Sequence, residues 1–383
     1  MSVGRVLIVG GGIGGLATAA GLRQAHIECE VVERTERWAP VGAGIVLSVN
    51  AMSVMRKLGM ADDVARRGVE LGRGAITNQA GSILGNTDFG VLRRDFGPTI
   101  ALHRAELHHA LLEAVGDVPI SLGTSVEKIS QNPARDDAPV EVRLTDGREE
   151  TYDLVIGADG LRSQVRELAI GELSIAYSSY TCWRLIVNAP NGKVDMCEMW
   201  GRGQRFGIVG IGGGRLYCFA VANASRGQTD PSEGRLERFR TRFEGFGGQV
   251  PAILAALEHP DQLIHNDLEE LPRGDWVKGR VVLIGDAAHA MTPNMGQGAA
   301  MALEDSAVLV ETLGQSGPLA DRLKGFHARR EPRVRWVQNQ SRRIGRVGQL
   351  EGALACAVRN AVVRLTPDRA AEKVLRKIAS QPI

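Results

Sequence analysis

Three places in the chain set acidic side chains beside glycines where an apolar run stops, and a fourth sets a cation at the start of a helix. The first is Gly10-x-Gly12-x-x-Gly15, inside RVLIVGGGIGGLATAAGLRQAHIECEVVER (Arg5 to Arg34), with Glu33 closing the stretch. The second is Asp159-Gly160 in YDLVIGADGLRSQVR, and the third is Gly285-Asp286 with Pro293, Gly296 and Gly298 downstream. The fourth is Arg104, opening ALHRAELHHALL, a cation placed to meet phosphate. Glycine at the first site permits a tight turn, lets a diphosphate approach the backbone and lets helix and strand pack closely. Free N–H groups at a helix start then face the phosphate charge. An acid about 20 residues on is suited to a ribose 2′-OH. Together these spacings point to a bound dinucleotide.

Such residues need elements to hold them. Val6 to Val9 is short, apolar and half β-branched, so it reads as a strand buried on both faces. Gly14 to Ala25 reads as a helix and Glu28 to Val32 as a second strand, which makes a βαβ unit. VVLIGDAAHA repeats the buried-strand pattern and leads to a helix over Gln297 to Leu313. Asp159 and Asp286 thereby fall at the carboxyl ends of parallel strands, where open α/β sheets bind ligands.

Between these pieces the texture changes. After Glu33, WAPVGAGIVLS reads as a broken loop, and Asn50 to Arg67 as one helix. Val69 to Phe96 reads as short antiparallel strands and Arg104 to Val115 as a helix. Val140 to Leu144 and Tyr152 to Ile156 read as strands joined by the turn Asp146-Gly147, with a helix opening at Ser163. RFGIVGI-GGGR-LYCFAVAN reads as a hairpin turning at Gly212 to Gly214, followed by a helix over Glu233 to Phe246. The expectation is an α/β fold: a discontinuous Rossmann-like unit (1–72, 99–174 and 276–325), an inserted, mainly antiparallel β unit (73–98 and 175–275) and a helical region (326–383). Arg329, Arg330, Arg333 and Arg335 make that last region basic. They read as a solvated face or one packing across the domains, with Trp336 as an anchor, rather than as a membrane or nucleic-acid patch.

Composition narrows the class. The 383 residues are 44% hydrophobic and 23% charged, as in ordinary globular proteins. A net charge of +2 gives no reason to invoke nucleic acid. Cys29, Cys182, Cys197, Cys218 and Cys356 form no CxxC pair, and neither HExxH nor a metal-spaced cluster occurs, so no metal is expected. His108-His109 reads as a surface pair on its helix. The N-terminal apolar run begins the fold and lacks a cleavage pattern, and no run is long enough to span a membrane. A cytoplasmic location is the resulting expectation.

With GxGxxG and Glu33, the DG motif at Asp159-Gly160 and the GD motif at Gly285-Asp286 with Pro293 in this order, the chain resembles the single-component (class A) flavoprotein aromatic hydroxylases over nearly its whole length. This family includes para-hydroxybenzoate, salicylate and urate hydroxylases. The resemblance implies noncovalent FAD, with NAD(P)H as transient co-substrate and O2. It implies hydroxylation of a small aromatic or N-heterocyclic ring through a C4a-hydroperoxyflavin. The cofactor residues it implies are Gly10, Gly12, Gly14, Gly15, Glu33 and Arg34 for the diphosphate and adenosine end, with Gly44 and Arg104 also against FAD. Asp159 would serve FAD and NAD(P)H approach, Asp286 and Pro293 the ribityl side, and Gly296, Gln297, Gly298 and Ala299 the isoalloxazine edge. Arg205 and Tyr217, on the two hairpin arms, resemble the substrate-activating Arg and substrate-contacting Tyr of urate hydroxylase. Cys182 and Arg184 complete the implied substrate set. Cys182 stands where urate hydroxylase has Asn, which argues against urate itself. A lone GxGxxG and no CxxC set the chain apart from disulfide reductases. Two other readings fit the motifs: an epoxidase or ring-modifying oxygenase on a lipophilic substrate, and a non-catalytic flavin-binding redox module. A homodimer is an open expectation.

Overall fold

The computed structural model describes residues 3–38, 43–132, 138–189 and 196–380. Ala39 to Gly42 of the expected loop lie outside the described residues. The protein is a mixed α/β molecule built on two large sheets.

The first sheet has the order Val277–Lys278, Val281–Leu283, Leu154–Gly157, Arg5–Val9, Glu28–Glu33 and Ile120–Leu122. Every neighbouring pair is parallel except the first. Its central strands are buried along almost their whole length, which is why they read as unbroken apolar runs. Helices Ile13–Gln24 and Gly298–Leu313 pack on one another beside the sheet, most tightly at Gly21, where a Cβ would stand 2.9 Å from the Val310 side chain. Parallel strands put their carboxyl ends on one edge, so Gly10, Glu33, Ala158-Asp159 and Gly285-Asp286 share it.

The second sheet runs Ile264–Glu270, Ala176–Asn188, Arg215–Asn223, Gln204–Gly210, Met196–Trp200, Arg73–Asn78 and Ile83–Asp88. Only Met196–Trp200 with Arg73–Asn78 pairs in parallel. Alternation along the strands gives it two different faces. Trp183, Leu185, Phe206, Ile208, Cys218 and Ala220 bury against Phe239, Phe243, Phe246 and Ile253 from the helices that follow. Trp183 and Phe206 meet the Phe243 ring nearly edge-on at 5.9 and 5.8 Å. Each such side chain contributes about 1.5–3 kcal/mol by burial. The opposite face carries Tyr180, Cys182, Arg184, Arg205, Tyr217 and Phe219 toward the first sheet's domain.

Three local expectations are corrected. The stretch Asn50 to Arg67 is two helices, Val49–Lys57 and Ala61–Arg67. Gly59, at φ +74°, ends the first, with Met60 N–H bonded back to Met55 O at 2.8 Å. Val69 to Phe96 is not all strand: Gly90–Phe96 is helical, packed through buried Leu92. The Asp146-Gly147 turn joins Val140–Leu144 to Glu149–Tyr152, and Leu154–Gly157 belongs to the other sheet. Glu149–Tyr152 is polar and only Asp153 separates it from the apolar run Leu154–Gly157, so nothing local marked the change of sheet.

The C-terminal region is helical: Leu319–Gly348, Ala353–Leu365 and Asp368–Ala379. Its basic run packs across the molecule. Arg330 and Arg333 are buried against Glu304 and Asp305, which are fully buried. Arg330 Nη1 donates to Glu304 Oε2 at 2.5 Å and its Nε to Asp305 Oδ1 at 2.7 Å. Arg333 clasps Glu304 with two further donors, and Trp336 packs on the core under the Lys377 ammonium. Two guanidinium ions balance two carboxylates, so no uncompensated charge is buried.

Candidate functional site

At the carboxyl edge of the parallel sheet the backbone forms a cradle. Gly10 adopts φ +111°, and a Cβ on it would stand 2.5 Å from Ala158 O. A Cβ on Gly15 would lie 1.9 Å from Gly10 O. These two glycines are demanded by the fold. Gly12, Gly160, Gly296 and Gly298 are different: a Cβ on any of them would have nothing within 4 Å. Gly12 caps the helix Ile13–Gln24, whose first N–H groups have no side-chain partner at that cap. Asp286 and Arg104 are exposed at the first turns of Asp286–His289 and Arg104–Val115. Open backbone, a helix N-terminus, a carboxylate and a cation fit the diphosphate and polyol of FAD.

Several of the expected cofactor residues also hold the cradle. Glu33 accepts from Gly11 N at 2.7 Å and from Thr35 N at 2.9 Å, fixing the glycine loop. Arg34 is exposed directly beyond it. Asp159 is engaged by Ser163 Oγ at 2.5 Å and by the N–H groups of Gln164 and Val165. Burial pushes its carboxyl up, and these donors pull against that. Gln297 is buried, its amide donating to Ser48 Oγ at 2.7 Å and accepting from Asn50 at 3.0 Å. Asn50 also donates to Glu304 at 2.7 Å, so the loop Gly296 to Ala299 is tied to the buried ion cluster.

The second sheet meets this edge through one short loop. Asn294, in the turn Pro293–Met295, accepts from Arg205 Nη2 at 2.7 Å and donates to Tyr180 Oη at 2.9 Å. Arg205 is 2% exposed, and its other donors go to Gln349 at 2.9 Å and Glu198 at 3.0 Å. Tyr217 lies elsewhere on the face. Its ring is so close to the Gly44 backbone that a Cβ on Gly44 would meet it at 2.4 Å. Arg184, one strand over, donates from Nη1 to Asn266 Oδ1 at 3.0 Å, and its charge acts on the Tyr217 hydroxyl. Burial, with the Cys182 thiol nearby, pushes that hydroxyl well above its ordinary value, against the pull of Arg184. Burial likewise pushes the Cys182 thiol up. The face therefore carries a neutral phenol and a neutral thiol beside a guanidinium.

The structure thus places Arg184 and Tyr217 on neighbouring strands of one face and draws Arg205 into a separate network with Asn294, Glu198 and Gln349. Sequence reasoning missed Asn294, Tyr180, Gln349, Asn50 and Ser48. Their partners lie up to 254 residues away, and no local spacing marks such pairs. His108 is not simply a surface residue: its Nε2 lies 2.9 Å from Gly11 O and its ring meets Trp38 edge-on at 4.8 Å. A cleft of about 380 Å³ around Trp276, His327 and Lys324 includes none of these side chains.

Comparison with known proteins agrees with this geometry. Residues 4–341 match the family model of the FAD binding domain. The chain is 39% identical to the aurachin C monooxygenase/isomerase of Stigmatella aurantiaca, over 99% of this chain and 98% of that protein. It is 38% identical to the 2-heptyl-3-hydroxy-4(1H)-quinolone synthase of Pseudomonas aeruginosa, over 97% of each. The crystal structure of Klebsiella pneumoniae HpxO complexed with FAD and uric acid superimposes with a TM-score of 0.89, at 26% identity, covering 98% of this chain and 96% of that one. The chain belongs to the FAD binding domain family, among its single-component aromatic hydroxylases.

Proposed function

We propose that this protein is an FAD-dependent monooxygenase that hydroxylates an N-heteroaromatic ring of the 4-quinolone type, with NAD(P)H as reductant. The observation that carries this reading is the 38% identity, over 97% of both chains, with the 2-heptyl-3-hydroxy-4(1H)-quinolone synthase. Such a ring is both N-heterocyclic and, through its alkyl chain, lipophilic.

Bound FAD would supply the redox chemistry, taking two electrons from NAD(P)H and passing one atom of O2 to the ring. Gly10, Gly12, Gly14, Gly15, Glu33, Arg34, Gly44, Arg104, Asp159, Asp286, Pro293 and residues 296–299 would hold it. The remaining work falls to the inserted sheet, residues 73–98 and 175–275, as the substrate-binding unit. Tyr217, kept protonated by burial, donates its O–H to a ring carbonyl oxygen. Arg184, held by Asn266, brings a permanent charge to the same face, and that charge favours the electron-rich, anionic form of the substrate. Cys182, Phe219 and Val221 give the face an apolar lining that excludes water. Arg205 acts through the loop it holds, keeping Asn294 and its neighbours against the sheet.

Substrate-stimulated NAD(P)H oxidation tests the reading. 2-Heptyl-4(1H)-quinolone is expected to accelerate it and to gain one oxygen at the ring, whereas simple phenols are expected to stimulate weakly. Equal stimulation by phenols and none by quinolones would overturn the substrate class.

A further inference from the structure

The helix Ala353–Leu365 is apolar on two opposite sides. One side is clamped to the protein. Cys356 and Arg359 are buried there, the Arg359 guanidinium donating to Gly348 O at 3.1 Å and Gly201 O at 2.9 Å. Val363 packs within 3.6 Å of where a Cβ on Gly85 would stand. The other side carries Leu354, Val358, Val362 and Leu365, which are 79%, 55%, 58% and 82% exposed. Their spacing of four, four and three residues makes one continuous stripe. A contiguous exposed apolar stripe of this kind marks an interaction surface.

Charge identifies what covers it. Between Arg343 and Lys377 eight Arg or Lys residues stand against three acids. Of the bases, Arg343, Arg346, Arg364, Arg369 and Lys373 are exposed. Of the acids, Glu351 is bonded to Asn223 and Glu372 to Arg376. An exposed apolar stripe on a helix that carries exposed Arg364 and is flanked in sequence by further exposed bases matches a lipid surface, with the aliphatic residues below the headgroups and the bases among them. A second copy of the chain would set like charge against like around the same stripe. No helix among the described residues is long and apolar enough to cross a membrane, so the contact is with the surface.

We propose that Ala353–Leu365 docks the enzyme on an anionic lipid bilayer. The connection preceding this helix carries Gln349, which holds Arg205, so docking sets the lipid surface beside the substrate-facing sheet. Docking rests on the exposure and charge of this helix and not on the substrate, so lipid binding and hydroxylation fail separately.

The test is cosedimentation of the FAD-loaded protein with vesicles of phosphatidylcholine alone or mixed with phosphatidylglycerol. Wild type is expected to pellet with the mixed vesicles, less so as salt rises, and weakly with phosphatidylcholine. The combined variant Leu354→Ser, Val358→Ser, Val362→Ser, Leu365→Ser is expected to lose more than tenfold of this partition while keeping its flavin spectrum. If that variant misfolds, Arg364→Glu with Arg369→Glu replaces it, and is expected to weaken binding to the mixed vesicles only. The proposal is overturned if wild type stays in the supernatant, binds both vesicles equally, or proves to be a dimer that the serine variant converts to monomer.

Discussion

Arg205 on the inserted sheet and Asn294 in the Pro293–Met295 turn are 89 residues apart in sequence and share a 2.7 Å hydrogen bond. The same guanidinium reaches Glu198 and Gln349, so it ties the sheet, the expected flavin loop and the C-terminal region together. Arg205→Gln leaves the Glu198 carboxylate without its buried partner. Breaking such a pair costs about 3–5 kcal/mol when fully buried, and Glu198 is partly exposed, so about 1–3 kcal/mol is expected here. The measurement is the thermal midpoint together with the ratio of product to NAD(P)H consumed. Both are expected to fall, with hydrogen peroxide replacing product. An unchanged midpoint would show that the network carries no stability.

Tyr217→Phe removes only the buried hydroxyl that faces the substrate in this reading. FAD content is expected to stay normal while kcat falls by about 10- to 100-fold, equivalent to about 1.4–2.7 kcal/mol. Steady-state turnover beside a flavin titration separates the two effects. Wild-type turnover in this variant would remove Tyr217 from the reaction.

The glycines of the cradle are expected to divide. Gly12→Val meets nothing within 4 Å and should fold normally but purify with little flavin, because the side chain occupies the diphosphate's place. Gly15→Ala collides with Gly10 O and should reduce soluble yield whether or not FAD is added. Asp286→Ala should fold and bind FAD roughly tenfold to a hundredfold more weakly, the loss of one buried hydrogen-bond partner. Flavin absorbance per protein and fluorescence titration read all three.

Acid should open the C-terminal packing. Burial pushes the Asp305 carboxyl up, but His289 and Arg330 outweigh it and hold it below its ordinary value of 3.8. A carboxylate depressed in the folded state stabilises the protein above the unfolded value and loses that contribution as pH falls through the folded one. Stability is therefore expected to decline below about pH 4. Asp305→Asn should flatten this decline while lowering stability at neutral pH. Denaturation midpoints across the acid range check it, and parallel curves for the two proteins would contradict it.

Much of this was legible in the sequence, unevenly. The strands around Gly10, Asp159 and Asp286 were legible because strands buried on both faces are unbroken apolar runs ending in glycine. The hairpin through Gly212 to Gly214 was legible because all three glycines take positive φ, of 82°, 60° and 68°. The split at Gly59 was obscured by the helix-forming residues around it. The partners of Arg205 were not legible, since Asn294 and Gln349 reach it only through the tertiary fold. The ion cluster of Glu304, Asp305, Arg330 and Arg333 showed in sequence only as a basic run, because its acids lie on another helix.

The central claim is that one oxygen atom from O2 enters the substrate ring at the expense of NAD(P)H. The direct measurement is turnover of the FAD-loaded protein under isotopically labelled O2 with NAD(P)H and 2-heptyl-4(1H)-quinolone, followed by mass spectrometry of the product. The account predicts one labelled oxygen in the ring for each NAD(P)H oxidised. Protein that takes up no FAD, or a product whose new oxygen comes from water, would contradict it.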